Sequence, residues 1–251
     1  MLFLLPPSES KRVGGSKPDI SQLSLTFGVL AEARSELIDK VVELSKNERI
    51  AQKIFKLSDK HLSELELNRT LWSQGTLPAI QRYEGTLYKS IFYDNLPVDS
   101  QQRAREMFLI QSALFGLISA SDRIPNYRFS ASTKLPTFSL KNYWSDKHEA
   151  VFARLASRAP VIDLRSKAYQ ELAPVPEHIA HHWVEVVTKD SSGNQRALNH
   201  FNKKSKGEFL RAILLAKKEP ETISDLGRIA KNIGFSLEKD FGGLRLVIPG
   251  N

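Results

Sequence analysis

Two short apolar runs, Leu2-Phe3-Leu4-Leu5 and Val161-Ile162-Asp163-Leu164, lie far apart in the sequence, and each gives way at once to polar residues. Runs of this length suit strands covered on both faces better than an amphipathic surface element. They are therefore expected to be interior neighbours in one sheet, with Pro6-Pro7 ending the first. That pairing would bring the polar loop at residues 8–11 close to Asp163. Loops at the ends of strands are where open α/β sheets carry their ligands.

Around these runs the pattern is mixed. Helical periodicity over 28–46 passes through Leu30, Ala33, Leu37, Val41 and Leu44, and further helical stretches follow at about 47–56 and 58–67. Pro78 interrupts, and Tyr83-Glu84-Gly85-Thr86-Leu87-Tyr88 leads into a short helix. Ala104, Phe108 and Gln111 recur at turn spacing, predicting a helix over about 100–112. Pro125 and Pro136 bound an irregular segment, and 146–157 is helical again. Strands at 183–188 and 196–201 flank Ser192-Gly193-Asn194-Gln195, a hairpin signal. A helix over about 221–232 stops at Gly234, and strands at 235–238 and 244–248 close the chain. No repeat or linker divides the 251 residues. The expected fold is a mixed α/β (α+β) single domain covering 1–251.

Charge narrows the function classes. The net charge is +8, and residues 196–218 hold seven cations against the single anion Glu208. A focused field of this kind attracts phosphate or a polyanion. Ser205 with Glu208 has the spacing of a capping box, predicting a helix from Lys206. Lys203, Lys204 and Lys206 would then gather at a helix N-terminus, with Arg211 further along, either as an anion site or as a solvated basic face. The chain has no cysteine, which excludes disulfides and thiolate chemistry. The apolar start is too short for a signal sequence and no run reaches membrane-span length, so a soluble, cytoplasmic protein is expected.

Several constellations could carry chemistry. Ser8, Glu9 and Lys11 present a hydroxyl, a carboxylate and an amine just after a strand. Gly14-Gly15-Ser16-Lys17 lacks the spacing of a phosphate-binding P-loop. Asp163, followed by Ser166 and Tyr169, is placed for acid/base work or for binding a ribose hydroxyl, unless Asp163 or Ser166 simply caps a helix near Lys167. Arg123, Tyr127 and Arg128 share a Pro-bounded loop; Arg forks match phosphate or a buried carboxylate, and Tyr can stack on a base. His178, His181 and His182 have i, i+3, i+4 spacing, but no framed partner ligands accompany them. Ser112-Ala113-Leu114-Phe115-Gly116 reads either as a hairpin between helices or as core packing.

Taken in order, these segments resemble one family, the YaaA peroxide-stress proteins. The resemblance is carried by 4–11, 83–88, 112–116, 122–128, Tyr143-Trp144, 161–169 and 200–207. It implies a compact cantaloupe-like α/β fold with a basic cleft, and a role in limiting iron-driven damage under hydrogen peroxide. It also implies DNA binding through a helix-hairpin-helix element and a glycosylase/lyase-like site. Ala113 stands where such a hairpin would prefer Gly. The expected cleft joins Ser8, Glu9, Lys11, Arg123, Tyr127, Arg128, Asp163, Ser166, Tyr169, Lys203 and Lys204, with Lys206 and Arg211 as further phosphate contacts. Lys203, Lys204 or Lys11 would be the attacking amine, and Asp163 or Glu9 the proton acceptor. The expected partner is duplex or distorted DNA, bound by a monomer with no cofactor, metal or membrane. The alternative is an enzyme acting on a small nucleoside or nucleotide in a closed pocket.

Overall fold

Leu2, Phe3 and Leu4 pair in parallel with Val161, Ile162 and Asp163, so the two apolar runs are neighbours in one sheet as expected. The computed structural model describes residues 1–158, 160–189, 195–197, 201–240 and 243–249. In chain order the elements are β1 (Leu2–Leu5), α1 (Ala31–Lys46), α2 (Glu48–Phe55), α3 (Leu65–Arg69), β2 (Leu77–Pro78), α4 (Ala79–Arg82) and α5 (Thr86–Ile91). Then come α6 (Val98–Met107), β3 (Phe108–Ser112), β4 (Gly116–Ser119), β5 (Arg123–Ile124), α7 (Leu140–Leu155) and β6 (Val161–Asp163). The last are α8 (Lys167–Leu172), β7 (His181–Lys189), β8 (Gln195–Ala197), α9 (Phe201–Leu215), α10 (Ile223–Asn232), β9 (Ser236–Asp240) and β10 (Gly243–Pro249). The class is mixed α/β.

The main sheet runs β4-β3-β1-β6-β7-β10-β9, with β8 pairing separately to β7. β3, β1, β6, β7 and β10 are mutually parallel, while β4 and β9 add antiparallel edges. Every residue of β1, β3 and β6 is buried, as interior parallel strands require. The chain leaves β1 toward β3 and later returns past β1 to β6. The order therefore reverses between β1 and β6, and the crevice beyond their carboxyl ends is the place such sheets offer a ligand.

Three expectations change. The helix predicted over 100–112 ends at Met107, and Phe108–Ser112 is a central strand. The turn-spaced Ala104, Phe108 and Gln111 imitate a helix face, but burial on both sides of Phe108-Leu109-Ile110 decides for a strand. Consequently residues 112–116 form the turn of a buried β-hairpin between β3 and β4, not a hairpin between helices. No backbone there is free to meet a DNA phosphate.

The basic helix α9 begins at Phe201, so Ser205 and Lys206 are interior rather than capping residues. Ser205, Lys206, Phe209 and Leu210 are all buried, and tertiary packing overrides the local cap signal. The capping box of this region belongs instead to Thr222 and Asp225 at the start of α10. The strand predicted over 196–201 is β8 and stops at Ala197, with helix from Phe201; the turn Ser192-Gly193-Asn194 lies outside the described residues. His181 and His182 lie on β7, where successive side chains point to opposite faces, so their helical spacing with His178 does not exist.

Candidate functional site

The Pro6-Pro7 exit from β1 is locked to the 83–88 motif by main-chain and side-chain contacts. Glu84 N–H donates to the Ser10 carbonyl at 3.0 Å, and Arg12 N–H to the Arg82 carbonyl at 2.8 Å. Tyr88 Oη donates to the Pro6 carbonyl at 2.7 Å. Gly85 is glycine for space, because the Ser8 side chain occupies the position its Cβ would take. Arg82 is fully buried and donates to the carbonyls of Arg12, Gly14, Gly75 and Ile124, fixing the far side of the loop. Two segments distant in sequence thus become one rigid floor.

On that floor lies Lys11. Its Nζ sits 4.1 Å from the Tyr127 ring centroid and 5.8 Å from that of Tyr83. Burial, then the Arg128 charge, pull its pKa down to about 7, with Glu9 opposing. The hydroxyls beneath form a directed chain. Ser112 Oγ accepts from the Leu114 and Phe115 N–H groups at 3.1 Å each, so its own proton goes to Tyr127 Oη at 2.9 Å. Tyr127 then donates to Tyr83 Oη at 2.7 Å, leaving the Tyr83 proton as the outgoing donor. Burial holds both phenols far above the ordinary tyrosine range, so both stay protonated.

Above Lys11 opens a polar cleft of about 160 Å³, lined in part by Glu9, Lys56, Arg128, Ser130 and Thr133. Arg128 lies 3.9 Å from Glu9 and 3.5 Å from Glu64. Its lining cations outnumber its one carboxylate. Of the expected residues, Glu9, Lys11 and Arg128 line it, the Tyr127 ring lies against Lys11, and Ser8 packs against Gly85. Tyr169 supports the wall, its hydroxyl accepting from Ala131 N–H at 3.3 Å; burial raises its pKa to about 12.

The other expected members do not line this cleft. Asp163 is buried and paired with Arg165 through contacts of 2.7 and 2.9 Å, so it is no free proton acceptor. Ser166 stands exposed before α8 with no capping bond from its side chain. Arg123 donates to Thr76 and to Ser16 Oγ, tying surface loops together instead of pairing with a buried carboxylate. Lys203 and Lys204 are exposed on α9, Lys204 at 3.5 Å from Glu208. Arg211 donates to the carbonyls of Ile91 and Phe92. Lys206 is buried and donates to the Leu164 carbonyl at 3.0 Å, one residue past β6.

Sequence reasoning missed Lys56, Ser130, Thr133, Tyr83 and Ser112. Tyr83 and Ser112 stood inside motifs already singled out, so motif membership was the available signal. Lys56 carries none; it enters the cleft through a left-handed backbone, φ 52°, at the end of α2. No group of three or more His, Asp or Glu side chains that could hold a metal occurs among the described residues. No helix among them is long and apolar enough to cross a membrane.

Comparison with known sequences agrees with this frame. The family model described as "Peroxide stress protein YaaA" matches residues 1–241. A UPF0246 protein of Corynebacterium glutamicum strain R is 39% identical over 245 residues, covering 96% of each chain. A UPF0246 protein of Streptomyces coelicolor is 31% identical over 242 residues, covering 96% of this chain and 93% of its own. A UPF0246 protein of Flavobacterium johnsoniae is 25% identical over 240 residues, covering 90% of each.

Proposed function

The chain belongs to the peroxide stress protein YaaA family, and on that premise we propose that it binds damaged DNA at the Lys11 cleft and attacks abasic sugar with the Lys11 amine. The observation that carries this reading is the Lys11 amine at a cation-lined cleft, 4.1 Å from the Tyr127 ring centroid, where burial and the Arg128 charge lower its pKa to about 7. A lysine becomes a nucleophile when burial and neighbouring cations favour its neutral form. The amine would add to the aldehyde carbon C1′ of an opened abasic sugar. That oxygen takes one proton from the amine and one from solvent and leaves as water, which gives a protonated Schiff base. Arg128 and Lys56 suit the flanking phosphates, and Glu9 is the nearest carboxylate to take a sugar proton.

Cleft size favours this over a free nucleotide as substrate. A volume of about 160 Å³ falls below the roughly 300–1,000 Å³ usual for a site that encloses a small-molecule ligand. One sugar of a longer chain needs less room. Protection of DNA, in this reading, comes from handling lesions and not from holding iron.

Borohydride trapping on an abasic duplex tests it. The wild type is expected to form a covalent adduct that Lys11→Met lacks and Lys206→Met retains. Binding to duplex, bubble and abasic DNA should weaken steeply as salt rises. Reversing Lys203 and Lys204 should weaken all three alike if the α9 strip touches phosphate. Binding without an adduct removes the lyase chemistry and leaves phosphate contact, the simpler use of a basic side chain. No binding to any of the three removes the DNA reading altogether.

A further inference from the structure

Tyr83 also lines a second, larger cavity of about 370 Å³, within the usual range for a small-molecule site. Ile80, Tyr83, Tyr88, Phe92 and Tyr93 give it an aromatic and apolar wall. Each tyrosine hydroxyl already has a protein partner: Tyr83 accepts from Tyr127, Tyr93 accepts from Arg105, and Tyr88 donates to the Pro6 carbonyl. What these residues offer a ligand is ring surface. The charged rim cancels, Arg12 and Lys89 against Glu84 and Asp94, so the cavity does not select for an anion.

Phe92 marks the place as more than a packing gap. Its backbone is left-handed, φ 53°, a conformation costly for a bulky residue and normal for Gly or Asn. The residue is also 53% exposed. Gly is the usual residue at a helix end of this kind. Strain held by the surroundings is a recurrent mark of functional positions. Arg211 stacks 5.4 Å from the ring and donates to the Ile91 and Phe92 carbonyls, which holds the phenyl in position.

The polar groups on the rim specify the ring. Asp94 is fixed by Gln81 Nε2 at 2.7 Å and by Arg12 at 2.8 Å, and a carboxylate has further lone pairs to offer. The Gln81 nitrogen is so engaged, and its amide oxygen accepts no hydrogen bond from the described residues. Two acceptors above an aromatic wall match a planar heterocycle bearing an amino group. We propose that this cavity is a binding site for an amino-bearing nucleobase, with Phe92 as its stacking platform. The base comes either from a free nucleoside or from an unstacked nucleotide of DNA. The cavity is distinct from the Lys11 cleft, and its occupancy does not depend on lyase chemistry there.

Calorimetric titration with adenosine, cytidine, uridine and thymidine is the test, with Phe92→Asn as the variant. Asn keeps the left-handed backbone while removing the ring, so melting should shift by only a few degrees. Adenosine and cytidine should bind at least tenfold more tightly than uridine and thymidine, with little dependence on salt. Phe92→Asn should weaken them tenfold or more while leaving borohydride trapping unchanged. Competition with oligonucleotides carrying one unpaired adenine or one abasic site separates the sources. Displacement by the unpaired adenine alone assigns the site to a base in DNA, and displacement by neither assigns it to a free nucleoside. Absence of binding by all four nucleosides at millimolar concentration, or equal binding by Phe92→Asn, overturns the proposal.

Discussion

Lys206 Nζ, buried within α9, donates a 3.0 Å hydrogen bond to the carbonyl of Leu164 immediately beyond β6. Burial pulls its pKa down to about 8, with Asp163 and Glu185 opposing. The unfolded chain binds this proton up to the ordinary lysine pKa of about 10.4, whereas the folded protein has released it by then. Between about pH 8 and 10.4 the unfolded state therefore holds more protons, and stability rises with pH by something on the order of a few kcal/mol. Urea unfolding at pH 7 through 10 should show this rise in the wild type. Against Lys206→Met, the wild type should gain steadily over that range; a constant difference would contradict the burial account.

Asp163 serves the fold through Arg165. Both side chains are buried, and the guanidinium also donates to the Ala173 carbonyl at 2.8 Å, joining β6 to the end of α8. Removing one partner of such a pair leaves an uncompensated buried charge, at about 3–5 kcal/mol. Asp163→Asn should therefore lower the melting temperature by roughly 10 °C, given about 2–4 °C per kcal/mol for a chain of this size. The double change Asp163→Asn with Arg165→Met should recover part of the loss. Unchanged melting with impaired DNA processing would instead return Asp163 to the list of proton acceptors.

The sheet was legible where local and tertiary signals agree. The β1 and β6 runs are apolar, short and ended by polar residues, and no competing periodicity obscured them. β3 was hidden because Ala104, Phe108 and Gln111 fall at helical spacing while only tertiary burial reveals that Leu109 and Ile110 are covered too. The site was half legible for a similar reason. Glu9, Lys11, Tyr127 and Arg128 sit in motifs whose polar composition is conspicuous. Which lysine would be perturbed was not readable, since charge density drew attention to Lys203 and Lys204, while desolvation, the larger effect, acts on Lys11 and Lys206. Desolvation depends on neighbours supplied from elsewhere in the chain.

Gly207 controls how closely α9 approaches α5. A Cβ there would collide with the Leu87 carbonyl and lie 2.6 Å from Ser90 Cβ. Alanine favours a helix interior by about 1 kcal/mol over glycine, so on propensity alone Gly207→Ala would stabilise. The obstructing oxygen is backbone and cannot swing away, and overpacking of this kind costs typically 1–3 kcal/mol. The net expectation is a loss of up to about 2 kcal/mol in urea unfolding. Because Lys206 is the adjacent residue, the variant should also reduce the pH-dependent gain in stability. A more stable Gly207→Ala protein would show that α9 is free to slide.

Lys11 provides the sharpest pH signature. With its pKa near 7, half of its amine is neutral at a pH where an ordinary lysine is almost wholly charged. Acylation of Lys11, followed by peptide mass analysis across pH 5.5–9, should rise with a midpoint near 7. The neighbours set the direction of the variants. Arg128 lowers the Lys11 pKa, so Arg128→Gln should move the midpoint up. Glu9 raises it, so Glu9→Gln should move it down. Desolvation is the largest cause and stays in both variants, so neither should restore an ordinary lysine pKa. If abasic-site trapping proceeds through this amine, its rate must follow the same three midpoints. A trapping profile that ignores the Arg128 and Glu9 changes, while acylation of Lys11 follows them, would place the reacting amine on another lysine.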